Sequence, residues 1–132
     1  MNAYRLSDTV AVAAQIQPAD VAAIAEAGFK VLINNRPDGE APDQPSSDEI
    51  AAAAEAAGME YHYLPVNAMN FPGPGADEMQ RLLDDTSKPV LAFCRTGTRC
   101  ANLWVQTRDE ADLEGAVSTA RGIGFDLSMV RR

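Results

Sequence analysis

The sequence predicts an α/β domain with a mostly parallel central sheet flanked by helices. Three observations carry that prediction. Short apolar runs alternate with Ala-rich or amphipathic segments at the spacing of strand–helix–strand units. The run Pro89 to Phe93 is wholly apolar, as a central strand buried on both faces should be. Finally, Phe29 to Ile33 and Pro89 to Phe93 each lead into a polar loop containing Gly and Arg, the usual setting for function at the carboxyl ends of parallel strands. With 132 residues the chain has room for one hydrophobic core, so a single domain over residues 1–132 is expected.

The elements follow in order. Two short strands are expected at Ala3 to Leu6 and Thr9 to Ala13. Gln17-Pro18 opens a helix, because Pro suits the first helical turn, and Gly28 is placed to end it. Phe29 to Ile33 is the next strand, and it runs into Asn34-Asn35-Arg36-Pro37-Asp38-Gly39-Glu40. Ser46 or Ser47 caps a helix ending near Gly58, and Met59 to Leu64 reads as a strand stopped by Pro65. Asn67 to Gly75, with two Pro and two Gly, is a loop long enough to serve as a lid or a wall. A helix from Ala76 to Asp85 precedes the Pro89 to Phe93 strand. Helices from Cys100 to Thr107 and from Asp109 to Arg121 complete the pattern, with a short tail after Gly122 and Gly124.

Composition narrows the function classes. A chain that is 46% hydrophobic and 23% charged is an ordinary globular protein, not a disordered or collagen-like one. Eleven Lys and Arg against nineteen Asp and Glu leave a net charge of -8, which a phosphate backbone would repel, so nucleic acid is not an expected partner. No run approaches the roughly 20 apolar residues of a membrane span, and Met1 to Asp8 lacks the pattern of a secretory signal, so no membrane partner and a cytoplasmic location are expected. In that reducing compartment Cys94 and Cys100 do not form a disulfide framework and need another explanation.

That explanation starts at Cys94-Arg95-Thr96-Gly97-Thr98-Arg99. A cysteine between a buried strand and a helix start sits where backbone N–H groups converge and the helix dipole is positive, which favours thiolate over thiol. Gly97 permits a tight loop whose amides turn inward, and the guanidinium of Arg99 suits a tetrahedral oxyanion. Cys94 is the candidate nucleophile and Arg99 its catalytic partner. Arg95, Thr96, Gly97 and Thr98 are the expected anion-binding residues, with Arg36 crossing from the neighbouring strand end. Cys100 is a candidate resolving or sulfur-relay thiol, or simply a buried cysteine. Asp38 is a candidate acid, although a Pro-Asp-Gly turn also explains it. His62 stands mid-strand, with Glu60 and opposite Tyr61 and Tyr63, and as the lone histidine it assembles neither a Cys-His pair nor a metal site. No metal and no cofactor are expected. Met69, Phe71 and Trp104 are candidates to wall the pocket, with core packing favoured for Trp104.

These residues resemble known families. The loop from Cys94 to Arg99 looks like the Cys-x-x-Gly-x-Arg loop of rhodaneses, whose cysteine carries a persulfide. It is also similar to the Cys-x-x-Gly-x-x-Arg loop of protein tyrosine and dual-specificity phosphatases, with one residue fewer. Together, Asn35-Arg36-Pro37-Asp38-Gly39-Glu40, Pro45-Ser46-Ser47, Pro65-Val66 and the stretch from Phe93 to Arg99 resemble the bacterial β-lactamase-hydrolase-like protein phosphatase-like domain family, over about Tyr4 to Leu127. The resemblance implies a cysteine-phosphatase-like fold, and sulfur transfer beside persulfide-oxidising metallohydrolase-fold proteins.

The sequence departs from the phosphatase pattern in two ways. Pro65-Val66-Asn67-Ala68-Met69-Asn70 offers no carboxylate where phosphatases keep a general acid, a group worth ~10²–10⁴-fold for poor leaving groups. Cys100 stands where phosphatases have a Ser or Thr. Sulfite and thiolates leave without such help, so the expectation is a sulfurtransferase. It would move sulfane sulfur from a small anionic donor such as thiosulfate or a persulfide to a thiol acceptor such as glutathione, with a persulfide dioxygenase as the partner that the resemblance implies. A phosphatase acting through a phospho-cysteine is the alternative, and a non-catalytic module binding an anionic partner through Arg36, Arg95 and Arg99 is the second.

Overall fold

The computed structural model describes residues 2–132. Within them five strands and five α-helices follow one another: β1 (Ala3–Arg5), β2 (Val10–Ala13), α1 (Val21–Glu26), β3 (Val31–Asn34), α2 (Ser47–Ala56), β4 (Glu60–Tyr63), α3 (Ala76–Asp84), β5 (Val90–Phe93), α4 (Thr98–Gln106) and α5 (Glu110–Ile123). The strands form one sheet in the order β1-β2-β5-β3-β4, in which only the β1–β2 pair is antiparallel. The apolar β5 is therefore the central strand, buried at every position as its composition requires.

Side-chain alternation along the strands feeds two cores. Val12, Ile33, Val90, Ala92 and Cys94 join Met79, Leu82, Leu103, Trp104 and Ala116 on the face covered by α3, α4 and α5. Ala13, Leu32, Leu91 and Phe93 meet Val21, Ile24, Ile50 and Ala54 of α1 and α2 on the other. Each fully buried aliphatic or aromatic side chain here contributes about 1.5–3 kcal/mol through removal from water. The α2 start follows the capping logic of its sequence: Ser46 accepts from the Glu49 N–H while Glu49 reaches back to the Ser46 N–H.

The register positions the site. Ala13 of β2 and Asn34 of β3 both lie opposite Phe93 of β5. The residues after these three strands, Gln15, Arg36 and Cys94, consequently emerge together at one edge. At the C-terminal end, buried Asn102 of α4 donates to Thr98 and Asp126 carbonyls at 2.8 Å each and accepts from the Met129 N–H at 3.1 Å. The tail after α5 is thereby tied to the helix that begins at the cysteine loop.

Two elements differ from expectation. The first helix is shorter, because Pro18–Asp20 forms a 3-10 turn before α1 begins at Val21. Helix α4 begins at Thr98, two residues before Cys100. Gly97 adopts a left-handed φ of 94° that reverses the chain sharply enough for Thr98 and Arg99 to be helical already. Among the described residues no helix is long and apolar enough to cross a membrane.

Candidate active site

The sheet ladder continues one step past the strands and fixes the nucleophile. The Cys94 N–H donates to Ala13 O at 3.2 Å, and the Asn35 N–H donates to Phe93 O at 2.9 Å. The turn at Gly97 then brings its own N–H to 3.1 Å from Cys94 Sγ. A Cβ at Gly97 would be strained at that φ and would stand 3.4 Å from the Phe125 ring.

Both thiols are buried, Cys94 at 1% exposure and Cys100 at 0%. Their environments push them apart. The Cys94 thiol is lowered to about 6, chiefly because the Cys100 side chain hydrogen-bonds to it; the backbone N–H groups of Cys100, Thr96 and Gly97 add to this, while burial opposes it. Burial, then the neighbouring Cys94, raises Cys100 well above the usual thiol value. Of the two, Cys94 is therefore the thiol that ionises first, beside a Cys100 that stays protonated. The short helical rise from Thr98 to Cys100 turns this second sulfur back beneath the loop.

Arg99 leaves the first turn of α4 toward the loop after β3. Its guanidinium donates to both carboxylate oxygens of Glu40, at 2.7 and 2.8 Å, and to Val66 O at 3.0 Å. Arg36, 5% exposed, donates through Nε to the same Glu40 at 3.0 Å and through Nη1 to Gln15 Oε1 at 3.0 Å. The Arg99 guanidinium, and secondarily Arg36, hold the Glu40 carboxyl below the usual carboxylate range although its partial burial opposes them. Glu40 therefore joins the two arginines as an ionised bridge. A bidentate arrangement of this kind fixes orientation as well as charge.

The structure brings Cys94, Gly97, Arg99, Cys100 and Arg36 into one region. Arg95 and Thr96 are exposed, Arg95 facing the same cleft as Arg36, and the Thr96 hydroxyl lies 3.0 Å from that of Thr98. The loop is tighter than expected, since Thr98 and Arg99 belong to α4 and only residues 94–97 lie between β5 and that helix. Asp38, the candidate acid, is engaged elsewhere: its carboxylate accepts from the Ser47 N–H at 2.8 Å at the start of α2, and its own N–H donates to the Tyr63 hydroxyl. Met69 is 97% exposed and walls nothing, whereas Phe71 and Trp104 are core residues. His62 sits at the far edge strand against Glu60 at 2.6 Å. Gln15 was missed by sequence reasoning, as was the bridging role of Glu40. Gln15 carries one signal, a polar residue just past an apolar strand. Among the described residues no group of three or more His, Cys, Asp or Glu is arranged to hold a metal ion.

A buried thiolate facing converging amides, with an oriented guanidinium one helical turn away, can attack an electrophilic centre on a small anion and hold the transferred group covalently. Comparisons agree with this architecture. A crystal structure of a candidate phosphatase from Neisseria meningitidis matches with a TM-score of 0.79 and 33% identity, over 94% of this chain and 89% of that one. The structure of Pseudomonas aeruginosa TpbA in complex with pTyr matches with a TM-score of 0.63 and 19% identity, over 95% and 75%. The Beta-lactamase hydrolase-like protein of Agrobacterium fabrum is 37% identical over 138 residues, covering 100% of this chain and 31% of that protein, so the chain spans about a third of this relative's length. The fold is that of the cysteine phosphatases, and with residues 3–111 matching its family profile the chain belongs to the phosphatase-like domain family of Beta-lactamase hydrolase-like proteins.

Proposed function

We propose that this domain is a cysteine-dependent sulfurtransferase. The Cys94 thiolate attacks the outer sulfur of thiosulfate; the S–S bond breaks, sulfite leaves with the electron pair, and Cys94 is left as a persulfide. An acceptor thiolate then attacks the terminal sulfur of the protonated persulfide, and Cys94 departs as thiolate with no net oxidation. The low pKa of Cys94 serves both steps, making a nucleophile in the first and a good leaving group in the second.

One observation carries the reading: the carboxylate bound to the Cys94 loop is a base, not an acid. Glu40 is held ionised by Arg99 and Arg36, Asp38 is engaged at a helix start, and the loop after β4 contributes Asn67 and Asn70, which hydrogen-bond one another's backbone. Sulfite and thiolate leaving groups do without protonation, whereas an alkyl phosphate would forgo ~10²–10⁴-fold. The test is thiosulfate:cyanide turnover, together with intact-mass detection of one added sulfur on Cys94. Equal rates for wild type and Cys94→Ser would end the proposal.

The family's own description and the Neisseria relative favour a second reading, a phosphatase working through a phospho-cysteine. That enzyme would hydrolyse aryl phosphates, whose leaving groups need little protonation, far better than alkyl ones. The absence of vanadate-sensitive phosphate release would remove it.

A further inference from the structure

A cavity adjoins the cysteine loop. It has a volume of about 360 Å³, at the small end of the range for ligand pockets, and is walled by Gln15 and Gln17 on one side and the Ala41–Pro45 segment on the other. Arg36 and Arg95 line it as well. Its position follows from the register: the Gln15 N–H donates to Arg95 O at 3.2 Å, so the wall is stitched to the residue next to the nucleophile.

The free valences of this cleft are specific. Arg36 uses Nε and Nη1 on Glu40 and Gln15, and its Nη2 has no partner among the described residues, although the side chain is only 7% exposed. Since Asn35 Oδ1 is the sole buried side-chain polar atom without a partner among the described residues, this Nη2 edge opens to the cleft, where it can donate to a ligand. The Arg95 guanidinium likewise makes no hydrogen bond among the described residues, and the Asp43 carboxylate opposite is also free of partners there. Gln44 is not available, since it braces the loop through Pro37 O and the Glu40 N–H. In a chain of net charge -8, the cleft thus gathers the Arg36 edge, the exposed Arg95 guanidinium and the exposed Asp43 carboxylate. It complements a ligand with two carboxylates and one ammonium.

We infer that the cleft formed by Gln15, Gln17, Arg36, Asp43 and Arg95 is the acceptor site for a low-molecular-weight thiol carrying carboxylates and an α-ammonium group. The inference rests on the sulfur-transfer reading and deepens it, because a thiol held there by its carboxylates lies beside the Cys94 loop. Its thiolate takes the terminal sulfur, the Cys94–sulfur bond breaks, and Cys94 regains its negative charge.

Two measurements test it on the full chain. S-methylglutathione, which binds but cannot accept sulfur, should give saturable NMR shifts at the Gln15 and Gln17 side-chain amides, weakened about tenfold in Arg95→Glu by reversal of an exposed charge. With thiosulfate as donor, the ratio of kcat/KM for glutathione over uncharged 2-mercaptoethanol should fall about tenfold in Arg95→Glu and again in Gln17→Glu. Saturable shifts that avoid the cleft, no saturable shift, or an unchanged acceptor ratio would each overturn the inference. Thiosulfate:cyanide turnover separates the two claims. Turnover without cleft binding leaves sulfur transfer standing and removes the acceptor site, whereas cleft binding without turnover keeps the ligand class and removes the reaction.

Discussion

The two ends of the sheet carry cavities of opposite character. At the amino ends of the strands a groove of about 870 Å³ is lined by Leu6, Thr9, Leu83, Trp104, Arg108 and Asp112, among others. At the carboxyl ends the cleft beside Cys94 has less than half that volume. The larger groove is lined by no cysteine, and its cation is already used: Arg108 pairs with Asp84 at 3.1 Å and lies 5.7 Å from the Trp104 ring centre. The smaller region holds the lowered thiol and the unfilled guanidinium. Strand direction, not cavity size, explains the contrast. At the carboxyl ends of the parallel strands, chain leaving β5 enters a helix N-terminus beside the thiol, so amides and positive dipole converge on Cys94; the groove at the opposite end is lined by the last residues of α3 and α4 and by the first turn of α5, whose own Asp109 and Asp112 supply negative charge there.

Substitutions at the two ends should separate accordingly. The largest effect is expected from Cys94→Ser, which should lower sulfur-transfer turnover by at least about 10⁴-fold, whereas Asp112→Asn in the large groove should leave turnover unchanged. Steady-state kinetics on both variants checks this. Next, Trp104→Ala should cost about 3–5 kcal/mol of folding stability in denaturant unfolding, because its ring is buried core beside the groove. Glu40→Gln should lower kcat/KM for an anionic donor roughly tenfold with little change in unfolding midpoint, since it loosens Arg99 and Arg36 together. A pH series would reveal a split between donor KM and kcat.

A smaller, diagnostic effect lies in the pH profile. Because Cys94 is lowered to about 6, transfer should rise through that pH on the acid limb, and Cys100→Ala, which removes the leading cause, should move the limb upward. The same depression means that the folded state gains stability as pH rises from about 6 toward the usual thiol value, and loses it as pH falls through 6. Cys94→Ala should flatten that slope. The smallest effect is expected from Asp84→Asn, whose exposed pair with Arg108 should contribute under about 1 kcal/mol.

Much of this was legible in sequence where local rules govern. The apolar run ending in Cys94 announces a central strand, Ser46 announces a helix start, and the spacing of Cys94 and Cys100 puts the second thiol in an opening helical turn. The orientation of Arg99 was not legible. Its partner Glu40 is 59 residues away and is met only because β3 and β5 are neighbours in register. Arg36 was expected to buttress the cysteine loop or add charge at its rim; the partners through which it meets that region, Gln15 and Glu40, were not legible, because the pairing is set by three strands ending level. The helix boundary was missed because Gly97 can take a left-handed φ that the flanking Thr residues do not advertise.

The clamp around Asn102 has a consequence for dissecting the protein. The family profile ends at residue 111, yet Asp126 and Met129, which satisfy the Asn102 amide, lie beyond it, as does Phe125, whose ring meets Tyr4 at 5.3 Å and abuts Gly97. A fragment cut to the family boundary would leave a buried amide without two of its three partners, at about 1–3 kcal/mol, and would uncover the turn that shapes the thiolate. The matched residues thus lack part of the packing that shapes the cysteine loop. Native-state hydrogen exchange should report it directly, with the Gly97 and Met129 amides opening together as one cooperative segment.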